Sequence, residues 1–407
     1  MSSVASVEEI RGHFPALERT HNGHPVAYFD GPGGTQVPRE VAAAMGDYLL
    51  HHNANTHWAF PTSHETDAAI SAARQALADW LGGFPEEIVF GANMTTLTFH
   101  LGRALGRAWR AGDVVVVTEL DHHANSDTWR SLARERGVEI RTIRMRREDG
   151  RLDEQDAAMK LTAGVRLLAL GAASNALGTV NDVAKLTDLA HSVGARVFVD
   201  AVHYASHQMP DVRAWDCDFL ACSAYKFYGP HVGVLWGRRE LLERLDPPKL
   251  APASSQSPDL LETGTLNHEG IVGAGAAMEF LASLAGAELP RRARLARVSH
   301  CLHERGSELL GQLWEGLRAI PAVEVYGPPA GTARTATLSF AVAGRDSQGV
   351  AAALADRGVF VSHGDFYATT AVRVLGHEHD GLVRAGCAAY TTAQEVERLL
   401  EGVRALA

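Results

Sequence analysis

One lysine keeps unusual company. Lys226 lies in "CSAYKFYGPH", residues 222 to 231, directly after the apolar run "DFLACSAY" and directly before the turn pair Gly229-Pro230. A strand followed by a turn leaves this amine at a strand end among small and aromatic residues. Such a lysine either snorkels to water or is desolvated. A desolvated amine has a lowered pKa and can form a Schiff base. Asp200 lies 226 − 200 = 26 residues upstream, at the end of the β-branched run "RVFVD". A carboxylate there is costly unless it meets a cation. His203 follows three residues on, "LLALGAASNALGT" leads to Ser174 and Asn175, and "VVVVTELDHHANSD" leads to Asp121, His122 and His123. "EIVFGANMTTLTFHL" leads to Gly91 and then to Thr95-Thr96 at a helix start, where free N–H groups and hydroxyls suit a phosphate. Singly, each has a plain reading: a helix cap for Asp200, loop residues for His122 and His123, an N-cap for Thr95. Their conjunction at successive strand ends is what carries chemistry.

Pyridoxal 5′-phosphate needs a lysine for its aldehyde and an acid against its pyridine nitrogen. It also needs a phosphate cup, a partner for its ring hydroxyl and a flat group on its ring face. Lys226, Asp200, Thr95 with Ser223, His203 and His122 match those needs in order. The gap between Asp200 and Lys226 holds one helix and one further strand, so both ends can reach the same edge of a sheet.

The elements that must position these residues are legible as an alternation. Strand-length runs are expected at Glu87–Gly91, Asp113–Glu119, Glu139–Met145, Arg166–Gly171, Arg196–Asp200, Phe219–Ser223 and Gly233–Gly237. Amphipathic stretches such as "DAAISAARQALADWLGG" and "NDVAKLTDLAHSVGA" separate many of them. That rhythm predicts an α/β domain with a mostly parallel seven-stranded sheet and helices on both faces, its ligands beyond the carboxyl ends of the strands. After about residue 260 two long helical patterns appear. They are followed by "VEVYG", "TATLSFAVAG", "GVFVSH" and "VRAGCAAY", which read as the strands of a smaller α/β domain. The expected division is a large domain over 20–290 and a small one built from 1–19 and 291–407, with a first helix around Val7–Phe14 against the small one. The turn-rich stretch 247–264 reads as a linker or as a loop near the site.

Bulk properties exclude several classes. The chain has 407 residues, 46% hydrophobic and 21% charged, with a net charge of −10. Nothing in that balance advertises a basic face for nucleic acid or anionic membrane. No run is long enough to span a bilayer, and the N-terminal "MSSVASVEEIRGHF" has no apolar core of a secretory leader. Four cysteines, Cys217, Cys222, Cys301 and Cys387, lie mostly in apolar segments, as expected of reduced thiols in a cytoplasmic protein.

"DHHAN", "SNALGT", "FVDAVHYASH" and "SAYKFYGP" resemble the class V aminotransferase superfamily of pyridoxal phosphate enzymes, nearest its cysteine-desulfurase-like and selenocysteine-lyase-like branch. The resemblance runs from "AYFDGPGGTQVP" to "VRAGCAAYTTAQEVERLLEG". It implies fold type I and a homodimer with shared active sites. It implies Lys226 as the cofactor-bearing, proton-carrying residue, Asp200 at the pyridine nitrogen, and His203 at the ring hydroxyl with Asn175 beside it. His122 stacks on the ring; Thr95, next to Met94, and Ser223 hold the phosphate; Thr265 reaches the phosphate of the other subunit. Arg384 clamps the substrate α-carboxylate through a guanidinium fork.

Two departures stand out. Many relatives have histidine before the lysine, and this chain has Tyr225, whose hydroxyl could still donate to phosphate. Desulfurases that build a persulfide carry a cysteine in the loop after "GVFV"; here "SHGDFYATT" offers His363, Asp365 and Tyr367 instead, with Asp365 or His363 as the acid for a departing group. The expected activity is a pyridoxal phosphate enzyme acting on a small α-amino acid, a carbon–sulfur or carbon–selenium β-lyase. Transamination and epimerisation stay open because the same residues serve them, and a cofactor-free binding scaffold is the non-enzymatic alternative. The histidine-rich "HHNANTH" and "HEHD" lack a recognisable ligand set, so no metal is expected; Asn55 and His57 of the former are expected at the substrate entrance.

Overall fold

Seven apolar runs join in one sheet: β1 Ile88–Gly91, β2 Val114–Thr118, β3 Glu139–Ile143, β4 Val165–Gly171, β5 Arg196–Asp200, β6 Phe219–Ser223 and β7 Gly233–Gly237. The structure, a computed structural model, describes residues 4–407; residues 1–3, assigned above to the small domain, lie outside the described residues. The strand order is β1-β7-β6-β5-β4-β2-β3. β7 runs antiparallel to both of its neighbours, and the pairings from β6 through β3 are parallel.

Helices α1 Pro61–Leu81, α2 Met94–Gly106, α3 Asp127–Arg136 and α4 His268–Ser283 cover this sheet. Successive strand residues face opposite sides. Phe90, Val116, Leu170 and Val199 join a core with Leu77 of α1 and Ile271 of α4. Val89, Val115, Ala169 and Phe198 join another with Leu101 of α2 and Trp129 of α3. Burial on both faces is why the strands read as unbroken apolar runs and not as alternations.

A second sheet, all antiparallel, takes β8 Val323–Tyr326, β9 Thr337–Val342, β10 Ser362–Gly364 and β11 Leu382–Gly386 in the order β8-β9-β11-β10. Its Leu338, Phe340 and Val383 pack with Leu313 of α5 Arg291–Arg318 and Leu399 of α6 Ala393–Arg404. The single strand expected in "GVFVSH" is two pieces. Val359–Phe360 pairs in parallel with Ala27–Tyr28, while β10 joins the small sheet, because the N-terminal segment supplies a second pairing partner. The first helix spans Val7–Arg11 and touches both parts: Ile10 and Phe14 lie in the larger core, while Arg11 bonds Tyr390 O at 2.5 Å and Glu395 at 3.0 Å. Within 247–264, Leu261 is buried, and Glu262 pairs with Arg74 at 2.7 Å and accepts the Phe90 N–H at 2.8 Å. That stretch is a loop tied to the sheet edge. Among the described residues no helix is long and apolar enough to cross a membrane.

Register decides what meets at the carboxyl edge. Gly171 pairs with Asp200, Asp200 with Ala221, Ser223 with Gly233, and Gly233 with Gly91. The small sheet then grips the loop after β4. The Thr335 N–H bonds Gly178 O at 2.8 Å, Arg334 Nη2 bonds Leu177 O at 3.1 Å, and Ser339 Oγ bonds Ala176 O at 2.7 Å. Gly178 makes this approach possible: its φ is +75°, and a Cβ would lie 2.3 Å from Thr337 O. Gly178→Ala is expected to lower stability by about 1–3 kcal/mol or more through enforced left-handed backbone and a backbone clash. A denaturation midpoint unchanged from the parent protein would show that the loop and the small sheet are not tightly joined.

Candidate active site

The strand ends open into a cleft of about 1000 Å³ lined by residues of both sheets. Lys226 sits in a short turn just past β6 and is buried. Its Nζ donates to Pro32 O at 2.5 Å and Gly33 O at 3.0 Å. Burial first, then the Arg384 charge, lowers its pKa to about 7, while Asp200 and Asp30 pull it back up. Asp200 Oδ1 accepts the Val202 N–H at 2.9 Å. Burial raises its pKa to about 6, against the backbone hydrogen bond and the Lys226 charge. A buried carboxyl so poised accommodates a proton donor opposite it.

The imidazoles are held neutral and oriented. His122 Nδ1 accepts the Ala124 N–H at 3.0 Å. An amide can only donate, so the ring proton is on Nε2. Burial and the charges of Lys226, His123 and Arg384 lower the His122 pKa to about 4. His203 Nε2 meets Thr335 Oγ1 at 3.0 Å, and burial holds this ring well below the ordinary histidine range. Asp121 closes the floor. It accepts the Gly171 N–H at 2.8 Å and Asn125 Nδ2 at 3.1 Å, and burial raises its pKa to about 8.

One end of the cleft is a helix start. Met94 N–H is capped by Ser223 Oγ at 3.0 Å and Thr96 N–H by Asn93 Oδ1 at 2.9 Å. Thr95 stands exposed between them. Tyr225 lies at the same end, stacked on His231 with ring centroids 4.8 Å apart and planes 15° apart. At the other end Arg384 of β11 donates to Asn175 O at 3.0 Å and to Ser362 Oγ at 3.3 Å, with the Phe366 ring 4.3 Å from its guanidinium carbon. Burial lowers its pKa to about 10.

Three buried polar atoms of cleft residues, Asn175 Oδ1, His203 Nδ1 and Arg384 Nε, have no partner among the described residues. With a neutralisable amine, a buried carboxyl and a helix start, this donor set fits an anionic aromatic aldehyde carrying a phosphate and a ring hydroxyl, as pyridoxal phosphate does.

Of the residues singled out from sequence, the cleft gathers Met94, Thr95, His122, Asn175, Asp200, His203, Ser223, Tyr225, Lys226, Tyr367 and Arg384. It also gathers Thr96, Asp121 and His123, but not Asp365, His363, Asn55, His57 or Thr265. Asp365 is taken up in its own turn, accepting Tyr367 N–H at 3.0 Å and Thr369 Oγ1–H at 2.6 Å. His363 is exposed on β10, outside the cleft lining. Asn55 and His57 are exposed away from the cleft, His57 beside Asp67 at 3.3 Å. Thr265 lines a separate groove with His100 and Arg103 and not the cleft that holds Lys226. Sequence reasoning passed over Pro32 and Gly33, whose carbonyls hold Lys226, although "GPGGT" marks a tight turn. It also passed over Phe99, Phe366 and His231, which line the cleft.

Residues 27–399 match the family model described as aminotransferase class-V. A cysteine desulfurase of Klebsiella pneumoniae (strain 342) is 34% identical over 415 residues, covering 98% of each chain. The apo structure of a cysteine desulfurase from Thermococcus onnurineus NA1 superposes with a TM-score of 0.90 at 29% identity, covering 100% of this chain and 99% of that one. The cysteine desulfurase CsdA (S-sulfonic acid) from Escherichia coli gives 0.85 at 28% identity, with 99% of both chains covered.

The Lys226 amine is nucleophilic only when unprotonated. With its pKa near 7, capture of an aldehyde by cofactor-free protein should quicken about tenfold per pH unit below 7 and level off above it. Arg384→Gln removes a charge that lowers this pKa, so the midpoint should move up. Absorbance kinetics across pH read this directly, and a midpoint near the ordinary lysine value in the parent protein would contradict it.

Proposed function

Because the chain belongs to the aminotransferase class-V family, we propose that it is a β-eliminating lyase acting on α-amino acids with a carbon–sulfur or carbon–selenium bond, without a persulfide-forming cysteine. The chain is a pyridoxal-phosphate-dependent enzyme, similar throughout its length to cysteine desulfurases. One observation carries the lyase reading: none of the four cysteines lines the cleft. Cys217, Cys222 and Cys387 are buried, and burial pushes their thiols up, Cys387 to about 12. Such thiols are poor nucleophiles at neutral pH. Cys301, half-buried on α5, lies outside the cleft lining.

In this reading Lys226 would carry the cofactor, Asp200 would serve its pyridine nitrogen, His203 and Asn175 its ring hydroxyl, His122 its ring, and Met94, Thr95, Ser223 and Tyr225 its phosphate. When bound, pyridoxal phosphate supplies an electron sink for charge developing at the substrate Cα. Arg384 fixes the substrate carboxylate with guanidinium N–H groups that the protein leaves free. Lys226 Nζ, neutral over much of the physiological range, takes the Cα proton. The departing sulfur leaves as a thiolate, with His122 Nε2–H and the Tyr367 hydroxyl as the donors at hand. Asp365 and His363, outside the cleft, do not serve as that acid.

The same reading pairs two chains, with Thr265 serving the partner's cleft. The exposed apolar side chains Leu49, Leu50, Trp58 and Phe60 support a covered surface in that region. It also keeps the division into 20–290 and 1–19 with 291–407; the separate core around β9 and β11 supports a second domain, while Ile10 and Phe14 of the first segment pack in the larger core. A reducing cytoplasm suits four unpaired thiols.

Lys226→Ala should abolish the borohydride-reducible cofactor adduct, read by mass spectrometry of tryptic peptides. A reducible adduct on another lysine would move the assignment. Incubation with cysteine and no reductant, followed by thiol mapping, should find no sulfane sulfur on Cys222, Cys301 or Cys387. Added sulfur that appears and turns over with substrate would restore a desulfurase. Conversion of bound cofactor to pyridoxamine phosphate, with no pyruvate formed, would make the protein a transaminase.

A further inference from the structure

The segment after β10 is held closed over the cleft. Phe366 and Tyr367 both adopt left-handed backbone, φ 57° and 55°, which side chains with a Cβ take up only when the surroundings impose it. The restraints are visible. Asn175 Nδ2 donates to Phe366 O at 2.8 Å, the His123 N–H donates to Tyr367 O at 2.7 Å, and Asp365 accepts from Tyr367 N–H and Thr369 Oγ1–H. Two loops of the large sheet and one carboxylate of the segment itself thus fix the backbone that carries two consecutive aromatic side chains.

Their placement is specific. The Phe366 ring stands on the Arg384 guanidinium, and the Tyr367 ring lies 5.5 Å from that of His122. Phe99 of α2 also lines the cleft, and it and Tyr367 remain 37% and 71% exposed. The carboxylate carbon of an amino acid is one bond from Cα and two from Cβ. A carboxylate on Arg384 therefore keeps Cβ within two bonds of the group that Phe366 stands on, with Tyr367 the next residue of the same wall. This wall carries no thiol, its one carboxylate is engaged in the turn, and His363 is outside.

We propose that Phe366 and Tyr367 select the substrate's sulfur substituent. The preferred substrates are then cysteine thioethers bearing an apolar, above all aromatic, group, in preference to cysteine itself. This rests on the β-lyase reading. The overall conversion is redox-neutral and needs only water: R–S–CH2–CH(NH3+)–COO− and H2O give R–SH, pyruvate and NH4+. The Cβ–S bond breaks with its electron pair going to sulfur, the Cα proton is removed at Lys226, and sulfur leaves as thiolate to be protonated.

The test gives holoenzyme L-cysteine, S-methyl-L-cysteine and S-benzyl-L-cysteine and measures both pyruvate and released thiol. kcat/KM is expected to rise in that order, about tenfold or more from first to last, the scale of apolar discrimination in such pockets. Tyr367→Ala, on the surface, and Phe366→Leu, which keeps an apolar side chain, should each reduce the benzyl-to-methyl ratio several-fold. Equal kcat/KM for all three substrates, or a ratio unmoved in both variants, overturns the proposal. Calorimetry with L-2-amino-5-phenylpentanoate against L-norvaline, neither of which has a sulfur to eliminate, separates selection from reaction type. If no thioether yields pyruvate, the lyase reading fails. The selector then stands only if the phenyl analogue binds tighter and loses that advantage in Tyr367→Ala; no preference, or one insensitive to both variants, sinks it.

Discussion

Two basic side chains are buried in one cleft, and among the described residues neither has a carboxylate ion-pair partner. Lys226 is held by the carbonyls of Pro32 and Gly33, and Arg384 by the carbonyl of Asn175 and the hydroxyl of Ser362. Carbonyl dipoles offset part of the cost of removing such charges from water, and the rest appears as lowered pKa values for both. Asp30 and Asp200 oppose those shifts from nearby. A site left this positive is prepared for anions. A phosphate at the start of α2 and a carboxylate at Arg384, whose Nε has no partner among the described residues, would each complete it.

The architecture follows from that requirement. Lys226 and Asp200 come from the large sheet, whose register aligns the ends of β4, β5, β6, β7 and β1 along one edge. Arg384 comes from the small sheet, held between Ser339 on β9 and Ser362 on β10. The cleft therefore exists only where the two cores meet, and the contacts that join them are backbone-directed. Arg334, buried and held by Leu177 O, Thr337 O and the face of Trp314, has no carboxylate of its own and works as a bracket between the loop after β4 and the small sheet. Thr335 extends the bracket to His203. Packing far from the reacting atoms thus fixes imidazole geometry within the cleft.

The proposed lyase reading, as against a persulfide carrier, turns on the placement of sulfur. A transferable sulfane needs a thiolate that is exposed, low in pKa and mobile. Here the thiols of Cys217, Cys222 and Cys387 are sealed in apolar cores. The segment that could have carried one is pinned from both sides and ends in aromatic rings. Rigidity there favours selection of a side chain over delivery of a cargo.

Local pattern alone determined a great deal. The seven strands, the smaller domain's strands and the strand-end positions of Asp200 and Lys226 follow from apolar runs bounded by turn residues, because strand burial on both faces is a short-range signal. That amine and that carboxyl, together with Thr95, Ser223, His203 and His122 at neighbouring strand ends, already matched the needs of the cofactor. What sequence did not determine is contact across long separations. The Gly33 carbonyl that holds Lys226 is 193 residues away from it, and the Asn175 carbonyl on Arg384 is 209 away. Nor did composition reveal that Asp365, plausible as an acid, would spend both oxygens on its own turn, or that Phe366 beside it would face the guanidinium. Which neighbour in a loop enters a cleft depends on backbone dihedrals imposed by partners elsewhere in the chain, and only the folded structure brings those partners into place.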